Sequence, residues 1–153
     1  MNEDLMLVQI CGLGSMKNSP HILRFILDGF DKGASQVCLD LCETCSMDST
    51  FMGMLLLIEE KAIEKNGELY LVNLSQANQD KLEELGITAF VDVARRIELP
   101  ELELHLLPTG FDDVEERMNL VQAAHEGLVL INEKNREQFG KIVEMLRREN
   151  RGQ

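Results

Sequence analysis

Residues 36–74, QVCLDLCETCSMDSTFMGMLLLIEEKAIEKNGELYLVNL, decide the fold because they place a strand, a helix and another strand in succession. Residues 36–41 and 68–74 are short apolar runs with β-branched members, which is typical of strands. Apolar residues recur at helical spacing from about residue 49 to residue 65, and Asn66-Gly67 predicts the end of that helix. Strands that alternate with helices at short intervals favour an α/β layer with mainly parallel strands.

The sequence before this unit continues the alternation. Residues 5–10 (LMLVQI) predict a first strand, and residues 12–15 (GLGS) predict a turn. Ser19 as N-cap and Pro20 as first helical residue predict the start of a helix. Within the central unit, residues 42–47 predict a loop.

The sequence after the unit predicts one more helix and one more strand. Ser75 is suited to cap a helix that ends before Gly86, and residues 87–93 (ITAFVDV) predict a fourth strand. We therefore expect an α/β fold with a mixed, mainly parallel sheet of about four strands, packed with helices.

A C-terminal helical hairpin is predicted beyond Gly110. Its first apolar stripe consists of Phe111, Val114, Met118, Val121, His125 and Leu128. Asn132 is suited to cap a second helix, whose stripe consists of Phe139, Ile142, Val143 and Leu146. We expect residues 1–97 to form the α/β domain and residues 98–153 to form a helical extension.

Composition limits the classes of partner. The chain has 153 residues, 44% of them hydrophobic, and a formal net charge of −12 at pH 7. This charge disfavours nucleic acid and anionic lipid, since both repel an acidic surface. The first four residues include the acidic Glu3 and Asp4 and lead into a short apolar stretch, unlike a signal peptide. A cytoplasmic protein without nucleic-acid or membrane partners is expected.

The cysteines leave a redox or metal role open. Cys42 and Cys45 have the spacing of a redox or zinc motif, but further zinc ligands at matching spacing are not apparent. We favour reduced, buried or half-buried thiols that act as small hydrophobic residues. Nucleotide-binding, hydrolase and metalloprotease motifs are absent from the sequence, so we expect no enzyme activity, no cofactor and no metal.

The segment most informative about function is Asp48-Ser49-Thr50, which precedes a strongly apolar helix. Asp48 or Ser49 is a candidate N-cap, and Thr50 falls in the first helical turn. Unpaired N–H groups and the helix dipole at such a position accept anions, so a phosphate on either hydroxyl is compatible with the fold. An ordinary capping cluster explains the same residues.

Four blocks of sequence together carry a family resemblance. They are VCLDL at residues 37–41, MDST at 47–50, GELYLVNLS at 67–75 and LEELGI at 82–87. Their order and spacing resemble a STAS domain across about residues 5–95, and more narrowly the bacterial anti-sigma factor antagonists. The resemblance implies a STAS-like fold and a role in signalling and transcription regulation.

The resemblance also implies a phosphorylation switch. By position, Thr50 is the residue modified by a serine/threonine kinase that doubles as an anti-sigma factor, and Ser49 is the second choice. The unmodified protein binds that kinase, the phosphorylated protein is released, and a PP2C-type phosphatase resets it. The partner-binding residues implied are Asp48, Phe51, Met52, Ser15, Asn18 and Ser19. The chain is then a substrate, with no catalytic residues of its own.

Two features depart from the family pattern. Phe51 stands where the family usually has glycine, next to the proposed phosphorylation site. The C-terminal helices are additional and suggest a homodimer contact. A STAS scaffold that is never phosphorylated, and less favourably a redox or metal protein using Cys42 and Cys45, remain alternatives. The helix after Thr50 carries two apolar stripes, and the sequence leaves open which one faces the sheet.

Overall fold

The computed structural model describes residues 4–94, 103–107 and 113–152. Its main sheet has four strands, all paired in parallel in the order β1-β3-β5-β6. These strands are β1 (Leu5–Gln9), β3 (Gln36–Asp40), β5 (Glu68–Val72) and β6 (Asp92–Val93). The helices between them are α1 (Ser19–Asp31), α2 (Ser49–Glu64) and α3 (Gln76–Glu84). The predicted α/β class with a parallel four-stranded sheet is confirmed.

A second, two-stranded sheet replaces a predicted turn and a predicted loop. Strands β2 (Gly12–Gly14) and β4 (Thr44–Met47) pair in parallel, with an irregularity between Gly12 and Leu13. The prediction of a turn at residues 12–15 and a loop at residues 42–47 was therefore wrong. A three-residue strand with two glycines has little apolar pattern, and the pairing that stabilises it lies about 30 residues away.

The fourth strand was predicted too long. Ile87–Ala89 form a 3₁₀ helix, and only Asp92–Val93 join the sheet. The β-branched residues that favoured a strand are used differently: Ile87 is fully buried in the core. Short apolar runs do not by themselves separate a strand from a buried turn.

Helix α2 lies between the sheet and the helical pair. Its residues Phe51, Leu55, Ile58 and Ala62 are all fully buried. At 100° per residue they lie opposite Gly53, whose Cα packs against Ala124 in the next helix of the core. The stripe that begins with Phe51 therefore faces the sheet. The other predicted stripe consists of Met52, Leu56 and Ile63. Of these, Met52 is buried, whereas Ile63 is 66% exposed.

The C-terminal helical pair is present as predicted. It consists of α4 (Val114–Ile131) and α5 (Glu133–Arg151), which are joined at Asn132. The Asn132 side chain accepts a hydrogen bond from the Asn135 backbone N–H at 2.8 Å, so Asn132 is the N-cap that was predicted.

The predicted apolar stripes of this pair are only partly buried. Leu128, Phe139, Val143 and Leu146 are buried, but Val114 and Ile142 are exposed. Phe111 and the proposed boundary at residues 97–98 lie outside the described residues, so the division into two domains stays a prediction.

Candidate functional site

Asp48 joins the start of α2 to the segment after β2. Its Oδ1 accepts from the Phe51 backbone N–H at 2.8 Å, which makes Asp48 the N-cap. Its Oδ2 accepts from the Met16 N–H, also at 2.8 Å. The Asp48 N–H in turn donates to the Gly14 carbonyl. One carboxylate therefore fixes two chain segments that are 32 residues apart.

The segment between β2 and α1 is held by its own side chains. Asn18 Oδ1 accepts from the Ser15 N–H at 3.0 Å, and Asn18 Nδ2 donates to the Leu13 carbonyl at 2.8 Å. The Ser19 hydroxyl donates to the Ser15 carbonyl at 2.6 Å. The segment is thus preorganised, and it carries the exposed side chains of Leu13 and Met16.

The prediction that Ser19 is the N-cap of α1 was wrong. Helix α1 begins at Ser19, and Asn18 occupies the N-cap position without a side-chain cap bond. Ser19 is fully buried, and its hydroxyl is used within the turn instead. Of the predicted partner-binding residues in this segment, Ser15 and Asn18 are half-buried, and Ser19 is closed off from solvent.

The two hydroxyls after Asp48 lie in different surroundings. Thr50 is 4% exposed, whereas Ser49 is half-buried at the first position of α2. The Ser49 Oγ lies 2.8 Å from Nε2 of His125 in α4. Ser49 is therefore the more accessible residue of the two, and its hydroxyl is hydrogen-bonded to α4.

His125 is a functional candidate that the sequence did not reveal. Its Nδ1 lies 2.7 Å from the Val121 carbonyl oxygen, which can only accept, so Nδ1 carries hydrogen. In the neutral ring Nε2 is then an acceptor, and the Ser49 hydroxyl donates to it. His125 was predicted only as one member of an apolar stripe. The 76 residues that separate it from Ser49 leave no local signal of the pair.

Phe51 and Met52 belong to the core rather than to a surface. Phe51 is fully buried and Met52 is 7% exposed, so in this conformation neither side chain offers much surface to a partner, and their predicted role in partner binding stays a prediction. A Cβ at Gly14 would lie 2.9 Å from the Phe51 ring. Glycine at residue 14 thus leaves room for the ring of Phe51, the residue for which the resemblance implies glycine.

All four cysteines are free thiols. Cys11, Cys42 and Cys45 are exposed, which corrects the expectation that they are buried or half-buried, and only Cys38 is buried. Burial and then the neighbouring Asp40 raise the pKa of the Cys38 thiol. Within residues 4–94, 103–107 and 113–152, no cluster of three histidine, cysteine or acidic side chains is arranged to hold a metal ion.

Helix length and polarity were also compared with the needs of a bilayer. Among the helices described, none is both long and apolar enough to span one. The longest, α5, has 19 residues and is rich in charged side chains.

A model of the STAS domain matches residues 2–99, which include both sheets, α2 and the Asp48 site. The chain belongs to the STAS domain family. This STAS match ends before the described helices α4 and α5 begin. A comparison with curated protein sequences gave no match.

Several solved STAS-like structures share the fold. A proposed anti-sigma factor antagonist from Thermotoga maritima is 17% identical over 80% of this chain and 91% of its own, with a TM-score of 0.57. The Bacillus anti-sigma factor antagonist SpoIIAA, unphosphorylated, is 17% identical over 61% of this chain and 83% of its own, with a TM-score of 0.55. The phosphorylated form of SpoIIAA is 17% identical over 61% of this chain and 86% of its own, with a TM-score of 0.51.

A further similar structure comes from a different kind of protein. A sulfate transporter family protein from Wolinella succinogenes is 16% identical over 82% of this chain and 91% of its own, with a TM-score of 0.54. At these identities the likenesses establish a common fold.

Proposed function

We propose that this STAS protein is a phosphorylation-switched binding module. While the hydroxyls after Asp48 are unmodified, it binds a serine/threonine kinase that acts as an anti-sigma factor. Phosphorylation by that kinase releases it, and a PP2C-type phosphatase resets it. The protein itself is a substrate in this cycle and not an enzyme.

The observation that carries the proposal is the surface formed by Asp48, Ser49 and the segment between β2 and α1. Asp48 fixes the Met16 backbone beside the start of α2, so a hydroxyl and a preorganised loop with exposed apolar side chains lie together. SpoIIAA, which shares the fold, has been solved in unphosphorylated and phosphorylated forms. Both facts support a partner surface centred on the modified residue.

The surroundings of the two hydroxyls favour Ser49 over Thr50 as the phosphoacceptor. The sequence resemblance puts Thr50 first, but Thr50 is 4% exposed and a kinase must reach the hydroxyl it modifies. Ser49 is half-buried at the first residue of a 16-residue helix, where unpaired N–H groups and the dipole stabilise a phosphate. We therefore assign the switch to Ser49, with Thr50 second.

Charge explains why modification releases the partner. A phosphate adds about −1.5 to −2 charges at neutral pH. It would stand next to the Asp48 carboxylate on a chain whose formal net charge is −12. A partner surface fitted to a neutral hydroxyl then meets a dianion, and such like-charge or unpaired contacts at interfaces cost roughly several kcal/mol. The fold is retained and the complex is lost.

The test is to incubate the purified chain with the product of a neighbouring serine/threonine kinase gene and ATP, and to map phosphate by mass spectrometry. The variants are Ser49→Ala and Thr50→Val, the second removing a buried hydroxyl at nearly constant volume. We expect one phosphate on Ser49, no modification of Ser49→Ala, and normal modification of Thr50→Val.

Binding to the same kinase completes the test. Ser49→Ala should bind and resist release by ATP, whereas Ser49→Glu should fold normally and bind at least about ten-fold more weakly. Phosphate on Thr50 would contradict the assignment to Ser49 and support the resemblance, which puts Thr50 first as the phosphoacceptor. No phosphate on either hydroxyl, together with unchanged binding in the presence of ATP, would support a STAS scaffold that works without phosphorylation.

A further inference from the structure

The contact between Ser49 and His125 gives the site a second component outside the matched STAS region. Residues 2–99 match the family model, and His125 lies beyond them in α4. The Ser49 Oγ and His125 Nε2 are 2.8 Å apart, and the imidazole is 4% exposed. The Ser49 hydroxyl, which is proposed for modification, is thus hydrogen-bonded to His125 of the helical extension.

The hydrogen-bond roles of His125 are fixed by its surroundings. Nδ1 donates to the Val121 carbonyl, so Nε2 is the only nitrogen left to respond to Ser49. The ring also stands edge-on to Phe139 of α5, with centroids 5.5 Å apart and planes at 66°. The imidazole therefore touches both C-terminal helices and is held in one orientation.

Phosphorylation of Ser49 changes what Nε2 can bind. The Ser49 oxygen loses its hydrogen when it becomes a phosphate ester, so the neutral ring keeps a buried acceptor without a donor, which is unfavourable. A ring that takes a proton from solvent at Nε2 instead donates to a phosphate oxygen, in a charge-assisted bond. A dianion at hydrogen-bonding distance favours this protonated form.

The acidic residues next to Ser49 and His125 in the chain, Asp48 and Glu126, already have other hydrogen-bond partners. Asp48 is engaged through both oxygens by the backbone N–H groups of Phe51 and Met16. Glu126 accepts from Gln122 and from Arg147 of α5. From α5 the uncharged ring of Phe139 stands edge-on to the imidazole.

We propose that His125 is a phosphate-reading residue, which becomes protonated when Ser49 carries a phosphate and then ties the C-terminal helical pair to the start of α2 by an ionic hydrogen bond. The inference rests on the proposed modification of Ser49. The modification state of the STAS site would thereby be transmitted to helices α4 and α5, which the STAS match does not include.

The docking geometry makes this transmission direct. Within one turn of Ser49, a Cβ at Gly53 would lie 2.4 Å from the Ala124 carbonyl oxygen, so α2 and α4 are in close backbone contact there. Ala124 precedes His125 in the chain. Any strengthening of the hydrogen bond at Ser49 is therefore applied about one helical turn from this close backbone contact.

The test installs phosphoserine at residue 49 by genetic code expansion in the full chain, so it does not depend on a kinase. Imidazole ¹⁵N NMR near pH 7.5 reports whether both ring nitrogens of His125 carry hydrogen. Amide hydrogen exchange reports the protection of α4. We expect a protonated His125 in the phosphoserine protein and a neutral one in the unmodified protein. Protection of α4 should rise at least about five-fold.

Two variants distinguish a response of His125 to the phosphate from a purely structural role of this residue. His125→Gln keeps a neutral hydrogen-bonding group, and phosphoserine should then lower the protection of α4 or leave it unchanged. His105→Gln, at an exposed histidine, should behave like the parent chain. A His125 that stays neutral beside phosphoserine, or α4 protection that falls equally in the parent and His125→Gln chains, overturns the proposal. Failure of every kinase to modify Ser49 would instead refute the proposed function. It would leave the response of His125 to phosphoserine unaffected, because that response is measured without a kinase.

Discussion

The two faces of α2 are built differently. The face toward the sheet carries Phe51, Leu55 and Ile58, which are large and fully buried. The face toward α4 carries Ser49 and Gly53, in close contact with His125 and Ala124, and also Leu56, which lies near Gly127. The first face gains its stability from buried apolar area, whereas the second adds a close backbone approach and a hydrogen bond to its apolar contacts. A small chemical change can therefore act on the α4 face while the sheet face keeps the domain folded.

The largest expected effect is on the sheet face. Phe51→Ala removes a fully buried ring that also covers Gly14, and such a change typically costs about 3–5 kcal/mol. Equilibrium unfolding in denaturant should show this loss for the whole domain in one transition. Phe90→Ala, at a ring that is 55% exposed, is the control and should cost less than about 1 kcal/mol. Equal losses for the two variants would contradict the assigned role of this face.

The second effect is on the α4 face. Gly53→Ala places a Cβ against the Ala124 backbone, which must move by several tenths of an ångström or more. We expect a loss of about 1–3 kcal/mol despite the better helix propensity of alanine. Hydrogen exchange should show lost protection in α4 and α5 with β3 and β5 nearly unchanged.

Gly140 in α5 is the matched control for this change, because a Cβ there meets nothing within 4 Å. Gly140→Ala should stabilise the protein by about 0.5–1 kcal/mol through propensity alone. If Gly53→Ala destabilised the sheet as much as α4, the two faces would be a single cooperative unit and the comparison would fail.

A third effect concerns the joint between the helical pair and the STAS domain. Asn135 is fully buried, and its Nδ2 donates to the carbonyls of Leu85 and Leu128 at 2.8 and 2.9 Å. Asn135→Ala leaves two buried acceptors without this donor and should cost about 1–3 kcal/mol in denaturant unfolding. The exposed Asn150→Ala is the control and should change stability by less than about 0.5 kcal/mol. An unchanged free energy of unfolding in Asn135→Ala would show that water replaces the amide.

The parts of the fold that the sequence predicted are those with a local pattern. The strand at residues 36–41, the cap at Ser75 and the hairpin turn at Asn132 are each encoded within a few residues, and each is confirmed. Strand β2 was missed because a three-residue segment with two glycines is stabilised only by its distant partner β4. The predicted strand at residues 87–93 is confirmed only at Asp92–Val93, because Ile87 is buried in a 3₁₀ helix instead of pairing in the sheet.

The candidate site divides in the same way. The sequence limited the N-cap of α2 to Asp48 or Ser49, because both precede an apolar helical run, and the structure selects Asp48. The accessibility of Ser49 relative to Thr50, and the bond to His125, depend on how α4 packs on α2. That packing is set by Gly53 and Ala124, two small residues whose proximity no local pattern encodes.

The smallest expected effect lies at the middle of α2, where Glu59 interrupts its apolar surface. One carboxylate oxygen, Oε2, is buried with no hydrogen-bond partner among the described residues. Burial and then the charge of Asp92 raise the pKa of Glu59 above its ordinary value. The folded state therefore binds this proton more tightly than the unfolded state. Its contribution is favourable at low pH and is lost as the pH rises through the folded-state pKa.

Glu59→Gln removes the charge, so the stability of this variant relative to the wild type should rise from acid to neutral pH. The Glu59 side chain is half-buried and solvent screens part of the interaction, so the expected gain is about 0.5 kcal/mol. As the pH falls below the ordinary range of a glutamate, the wild-type group becomes protonated in both states, and the unfolding midpoints of the two proteins should converge. The exposed neighbour Glu60→Gln is the control and should show no such pH dependence. A Glu59→Gln gain that is equal at pH 3.5 and pH 7 would mean that packing, rather than charge, sets the cost at this position.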